Sequence, residues 1–331
     1  MKVAIIGAGR IGLMHGRLLA EQAEVDEVVI TDIDAGRARE TAAAIGARVS
    51  PDAERALDGA DAAVVATSTD AHAPLVRLAV DRGLPTFCEK PLAFDLQETV
   101  DLVEHIERVG ATVQVGFQRR FDPAYVEARR LVESGALGTV YLVRLIAHDH
   151  EPPPDAYIPH SGGLFRDSSI HDFDALRWVT GVEVEELYAD GSVRGFPVFA
   201  RHDDVDTGAV LLRLVDGTLG VLSQTRHDPL GYDIRMEVVG SRDSIVVGLG
   251  PRAPIRSVEP GARPHPGPAW DGFIDRFEVA YRAELLAFLR VVRGEIPSPC
   301  TARDALETMR IAVAATRSRR EHRPIRLADV G

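Results

Sequence analysis

Residues 2–12 read KVAIIGAGRIG: a short Val/Ile-rich run that passes into Gly7, Gly9 and Gly12, then into a helical pattern through Leu18-Leu19. A G-x-G-x-x-G turn between strand and helix has a mechanical meaning. The first glycine permits the tight turn, the second lets backbone approach a pyrophosphate, and the third lets helix and strand pack closely. The helix N-terminus, with free amides and the positive end of its dipole, suits the anion. The next strand, EVVIT (27–31), leads to Asp32, twenty residues beyond Gly12. An acidic side chain at that spacing is placed for the adenosine ribose hydroxyls. Its charge would repel a 2′-phosphate, so NAD is expected rather than NADP. Asp32 also reads as an N-cap for a helix over 35–44, and the two roles are compatible.

The pattern then repeats. DAAVVAT (61–67), LPTFCEK (84–90) and ATVQVGF (111–117) are further buried strands, with helices across His72–Arg82 and Asp95–Val109. Strands alternating with helices predict an α/β domain with a parallel, doubly wound sheet. Ligands bind such sheets at the carboxyl ends of the strands, where Thr67-Ser68, Glu89-Lys90 and Gln118 fall. Lys90 stands out by residue type. The chain carries 36 arginines and only two lysines, Lys2 and Lys90. Arginine stays protonated in proteins, whereas lysine can hand over a proton. A lysine kept beside the expected nicotinamide position points to proton chemistry.

The chain has 331 residues, 45% hydrophobic and 27% charged, which predicts two globular domains, 1–118 and 119–331. A net charge of −12 argues against a nucleic-acid partner, which would require a basic face. No apolar run suggests a membrane span, and the N-terminus opens on a strand instead of a signal peptide. Cys88 and Cys300 stand far apart with no CxxC spacing, so a reduced, cytoplasmic protein is expected.

In the second half, 119–134 reads as a helix linking the domains, and TVYLVRLIAHDHE as a strand whose tip carries His148 and His150. Strand alternation would put those two on one face. No third ligand stands at a convincing spacing, so no metal is expected, and the histidines read as polar walls of a substrate pocket or as strand-end surface residues. EPPPDAYIPH is a loop stiffened by prolines. Ser168-Ser169 read as a helix start. Asp167 and His171, four apart, would share a face if that turn is helical, so that the acid could orient the imidazole. Asp172 and Asp174 read equally as substrate contacts or as a solvated helix face. DTGAVLLRLVDGTLGVLSQTRH predicts a hairpin turning at Asp216-Gly217, and YDIRMEVVGSRDSIVVG a second. Residues 251–270 are a proline-rich loop, read as a lid or an oligomer arm. Helices over 272–293 and 301–319 return towards the first domain, and RPIRL (323–327) is a last strand.

GAGRIG, Asp32, ATSTDAH, the EKP signature, VGFQRRFDP and GGLFRDSSIHDFDALRW occur in the order found in the glucose–fructose oxidoreductase/inositol dehydrogenase (Gfo/Idh/MocA) family. The chain resembles that family over its whole length, and within it the inositol 2-dehydrogenase-like members. The resemblance implies an N-terminal Rossmann domain and a C-terminal α+β domain with a large, open, mostly antiparallel sheet. That sheet's exposed face would pack on a neighbouring subunit in a homo-oligomer, tetramer or dimer. The resemblance also implies a catalytic trio of Lys90, Asp167 and His171. The cofactor residues it implies are Gly7, Gly9, Arg10, Ile11, Gly12, Asp32, Thr67, Ser68, His72, Glu89, Lys90 and Gln118. Substrate would meet Lys90, His148, His150, Asp167, His171 and Tyr232. The implied activity is NAD-dependent oxidation of a cyclitol or sugar hydroxyl, first of myo- or scyllo-inositol. An aldose, an amino-sugar or an aminocyclitol is the alternative. The strand-end Gln118 and the HDH tip depart from the family pattern and bear on the substrate. The family also includes a NAD-binding transcriptional repressor, and distant relatives recycle the cofactor in place. The intact trio argues against the sensor, and recycling would show as no net NADH.

Overall fold

Short, Val/Ile/Ala-rich strands buried on both faces, separated by amphipathic helices, build the first of two units. The computed structural model describes residues 1–261 and 268–331. The first unit holds Met1–Gln118 and Tyr281–Glu307, the second Arg119–Ala280 and Thr308–Gly331.

In the first unit the elements run β1 (Lys2–Ile6), α1 (Arg10–Ala20), β2 (Glu27–Thr31), α2 (Ala35–Ile45), β3 (Arg48–Val49), α3 (Ala53–Leu57), β4 (Ala62–Val65), α4 (His72–Val80), β5 (Thr86–Glu89), α5 (Leu96–Val109) and β6 (Val113–Gly116). The strands form one parallel sheet in the order β3-β2-β1-β4-β5-β6. This is the doubly wound order, whose direction reverses between β1 and β4 and opens a crevice at the carboxyl ends. Val3, Ile5, Ile30, Val64 and Phe87 are fully buried in it. Local chemistry sets the helix ends: Asp95 caps α5 by accepting from the Glu98 amide at 2.8 Å, and Gly110 closes it in the left-handed conformation. The returning segment covers the β6 edge, where the Val115 amide donates to the Cys300 carbonyl at 2.9 Å.

The second unit begins with α6 (Pro123–Glu133), capped by Asp122 with proline at its first position. It continues with β7 (Val140–His148), α7 (Leu164–Asp167), α8 (Ile170–Thr180), β8 (Val184–Ser192), β9 (Thr207–Leu214), β10 (Leu219–Thr225), β11 (Asp233–Gly240) and β12 (Ser244–Val247). Next come α9 (Phe273–Val292), which passes into the first unit at Tyr281, and α10 (Ala302–Glu321), which returns from it. A short β13 (Ile325–Arg326) ends the seven-stranded sheet, ordered β12-β11-β7-β10-β9-β8-β13. Among the described strands of this sheet only β7 and β10 pair in parallel. Both predicted hairpins are present, as β9–β10 and β11–β12.

Four local expectations need correction. Strand β7 ends at His148, so alternation does not place His150 beside it. Asp167 and His171 do not share one continuous helix. Asp167 ends α7 and His171 lies in the first turn of α8, because Ser168-Ser169 interrupt the run (φ −105°, ψ −54° at Ser168). Asp172 and Asp174 are not a solvated face, since both are fully buried against arginines. The cap of α2 is Asp34, which accepts from the Gly36 and Arg37 amides, and not Asp32. The described part of the 251–270 loop contains no helix or strand, and its residues 262–267 lie outside the described residues. Among the described residues no helix is long and apolar enough to cross a membrane.

Candidate functional site

In the first unit the glycine turn is built as the motif requires. Gly7 has φ +110°, and a Cβ there would lie 2.3 Å from the Ala66 carbonyl oxygen. A Cβ on Gly12 would lie 2.0 Å from the Gly7 carbonyl oxygen, so helix and turn touch through bare backbone. A Cβ on Gly9 would meet nothing within 4 Å. The turn is therefore closed on the protein side and open at Gly9, the side on which a pyrophosphate would approach. Helix α1 begins at Arg10 with no side-chain cap, which leaves its first amides to an anion. Arg10 is exposed and Ile11 half-buried beside them. These features fit a dinucleotide.

Asp32 is held at the end of β2. Its Oδ2 accepts from the Ala8 amide at 2.7 Å, and its Oδ1 from the Asp34 amide at 2.8 Å and Arg37 Nη2 at 2.6 Å. Partial burial works against the charge, but Arg37 and the two amides outweigh it and keep the carboxyl below its ordinary range. Arg37 thus stands beside the position expected to face the ribose. Asp32→Ala would free it to meet a 2′-phosphate. Efficiency with NAD should fall about 10- to 100-fold, the worth of hydrogen bonds to a charged group, while NADP turnover rises. Steady-state kinetics with both cofactors measures the ratio.

The other predicted cofactor residues stand at the carboxyl ends of β4, β5 and β6. Thr67 is half-buried and Ser68 exposed. His72 is fully enclosed: Nδ1 lies 2.7 Å from the Pro91 carbonyl and Nε2 3.2 Å from the Thr67 carbonyl. Burial lowers its pKa, against the two carbonyls that raise it. A neutral ring has one N–H to give, and the shorter contact assigns it to Pro91. His72 thereby joins the β4 loop to the residue following Lys90, across a cis Lys90–Pro91 peptide. Gln118 is buried, and its Oε1 has no hydrogen-bond partner among the described residues.

Glu89 has a partner that the sequence reading missed. His15, fully buried on α1, places Nε2 2.7 Å from Glu89 Oε1. The Phe87 and Tyr281 rings pack edge-on against the imidazole at 5.2 and 6.0 Å. Glu89 Oε2 also accepts from the Lys90 amide at 3.3 Å. The strand end bearing Lys90 is therefore tied back to the glycine-turn helix. In the sequence His15 is one more polar residue in a helix, and only its place three after Gly12 hints at an inward face.

In the second unit Asp167 uses both of its oxygens. Its Oδ1 accepts from the Tyr157 hydroxyl at 2.9 Å and its Oδ2 from Arg226 Nη2 at 2.8 Å. His171 is half-buried in the first turn of α8. The start of this helix is anchored by two buried ion pairs, Arg119 Nη1 with Asp172 Oδ1, and Arg120 with Asp174 through Nε at 2.9 Å and Nη2 at 2.6 Å. His148 lies at the end of β7, with Nε2 3.1 Å from Ser223 Oγ and Nδ1 3.5 Å from Asp228 Oδ2. Tyr232 is buried, and burial pushes its phenol well up, so it remains a hydroxyl donor. The potential ligand atoms of His148, Asp228 and Asp233 lie within 4.8 Å of one another. The Arg235 guanidinium already donates to both Asp233 oxygens, at 2.8 and 3.1 Å from Nε, so a cation there would compete with a cation.

Comparison with known proteins covers both units. The oxidoreductase family with an NAD-binding Rossmann fold matches residues 1–117, and the GFO/IDH/MocA C-terminal domain matches residues 125–246. The chain is 42% identical to the myo-inositol dehydrogenase Hyg17 of Streptomyces leeuwenhoekii, over 96% of this chain and 97% of that protein. It is 33% identical to the myo-inositol 2-dehydrogenase of Thermotoga maritima, over 100% of this chain and 99% of that one. Among solved structures it resembles scyllo-inositol dehydrogenase from Lactobacillus casei with bound NAD(H) and scyllo-inositol. The TM-score is 0.87 at 27% identity, covering 99% of each chain.

Proposed function

The chain belongs to the GFO/IDH/MocA oxidoreductase family, and on that footing we propose that it is a NAD-dependent dehydrogenase oxidising a secondary hydroxyl of a cyclitol. Myo- or scyllo-inositol is the first substrate, with the inosose as product. The observation that carries this reading is the likeness to inositol dehydrogenases over the full length of both units. The open glycine turn and the pinned Asp32 support the cofactor assignment.

Bound NAD supplies the hydride acceptor. Removing hydride from a carbinol carbon requires loss of the hydroxyl proton. His171 is the proposed proton acceptor. Asp167, whose two oxygens already accept from Tyr157 and Arg226, acts as a fixed negative charge and not as a proton carrier. Lys90 donates to the same substrate oxygen and stabilises alkoxide charge. His148, His150 and Tyr232 meet the remaining hydroxyls, so analogues lacking those hydroxyls are rejected. A second reading, an aminocyclitol or amino-sugar substrate, draws on the half-buried carboxylate of Asp228 beside His148, which an amine could meet. We read the protein as cytoplasmic, with Cys88 and Cys300 both buried thiols. It is further read as a homo-oligomer formed through the outer face of the seven-stranded sheet, where Leu211, Leu219 and Val221 are exposed.

The test is NADH formation, followed by its near-ultraviolet absorbance, across inositols, aldoses, aminocyclitols and amino-sugars. Turnover of an inositol above the others supports the proposal. Failure of every polyol with NAD still bound overturns it in favour of a sensor or a recycled cofactor.

A further inference from the structure

Strands β7 and β10 run parallel with Thr225 in register with His148. The next residue of each, Asp149 and Arg226, therefore stands at the same end of the sheet. The backbone fixes both: the Asp149 amide donates to the Thr225 carbonyl at 2.9 Å, and the Arg226 amide to the Asp206 carbonyl at 2.8 Å. From that platform the Arg226 guanidinium bridges two acids. Nη1 lies 3.3 Å from Asp149 Oδ2, and Nη2 lies 2.8 Å from Asp167 Oδ2. The side chain is 4% exposed. Asp204 faces it as a third acid. Burial opposes its charge, and these carboxylates hold the charge in place.

We propose that Arg226 is a positioning residue for alcohol oxidation, holding Asp167 as an oriented carboxylate and locking it to the His148–His150 tip through Asp149. The proposal rests on the reading of Asp167 as the partner of His171. A guanidinium presents a planar fork of donors, which is what lets one side chain meet carboxylates on two separate segments. A lysine at the same place would keep the charge but could not present that fork. Tyr157, donating to the other Asp167 oxygen, completes the orientation.

Arg226→Lys should lower kcat on the inositol substrate by about 10- to 100-fold, because misplacing a catalytic group by about 1 Å can cost up to about 100-fold. KM and NAD affinity should change little. Tyr157→Phe should lower kcat several-fold with the melting temperature unchanged. The decisive arm is the cycle with Asp167→Asn. If Arg226 acts through Asp167, the double variant Asp167→Asn/Arg226→Lys turns over no more slowly than Asp167→Asn alone. Additive losses, or a raised KM with kcat intact, overturn the proposal. If Arg226→Lys does not fold, Asp149→Asn and Tyr157→Phe are put through the same cycle, and additivity there overturns it equally. Failure of the underlying reading looks different: Asp167→Asn by itself would then leave polyol oxidation unimpaired.

Discussion

Lys90→Ala is expected to lower kcat for polyol oxidation by on the order of 10³-fold, about 4 kcal/mol of activation free energy, while NAD still binds. The magnitude follows from the role. Removing one donor aimed at developing oxyanion charge costs about 10²–10³ in rate elsewhere, and this donor carries a full charge. The location argues for retained cofactor binding. Glu89 is fixed by His15, and the Pro91 carbonyl lies 2.7 Å from His72 Nδ1, so the neighbours of Lys90 are held by contacts that do not use its side chain. Lys90→Arg is the informative companion. It preserves charge in a chain that otherwise uses arginine for nearly every cation, 36 against two lysines. Arginine is planar, bulkier and does not give up a proton. Recovery of less than a tenth of the lost rate would show that position and proton chemistry matter. Near-complete recovery would reduce Lys90 to a charge. Steady-state kinetics with an inositol substrate and NAD titration by fluorescence quenching separate the two effects.

The dinucleotide unit was legible because each of its signals is local and mechanical. Gly7 and Gly12 are demanded by contacts of 2.3 and 2.0 Å that any Cβ would make. The distance from Gly12 to Asp32 is set by one helix and one strand. The β9–β10 hairpin, with its turn at Asp216-Gly217, was legible for the same reason. The second unit hid its chemistry in pairings across long stretches of chain. Asp172 and Asp174 meet arginines 53 and 54 residues earlier, and hydrophobic periodicity carries no trace of a match at that separation. Two acids in a helix therefore read equally as substrate contacts or as a wet face. Arg226 was one arginine among many, and only the parallel register of β7 and β10 sets it beside Asp149. Ser168-Ser169 were legible as the start of α8, but the short α7 that ends at Asp167 was not, because serine is tolerated both at helix starts and in tight turns. Here Ser169 directs its hydroxyl to Gln224, and the Asp172 amide bonds back three residues to Ser169.

Asp172→Ala should destabilise the protein by about 3–5 kcal/mol, the cost of leaving one member of a buried ion pair without the other. Asp172 is fully buried and Arg119 is 3% exposed, so water cannot replace the lost carboxylate. Burial itself raises the Asp172 carboxyl, and Arg119 works against that rise. Aromatic neighbours do not substitute for the acid, although Arg119 also lies 5.8 Å from the centre of the Phe277 ring. Asp172→Asn retains shape and a hydrogen-bond acceptor, so it should cost less than alanine. The instructive variant is Arg119→Met combined with Asp172→Leu, which removes both charges and refills the space. It should recover most of the stability lost by either single change, as buried pairs replaced by apolar residues generally do. Arg120 and Asp174 provide an internal control, because their bidentate pair anchors the same helix with different atoms. Urea unfolding of the cofactor-free protein measures all of these. The functional consequence distinguishes fold from chemistry. If the ion pairs only secure the helix that carries His171, the double apolar variant regains turnover together with stability. If it regains stability alone, the charge of Arg119 or Asp172 acts on the reaction itself.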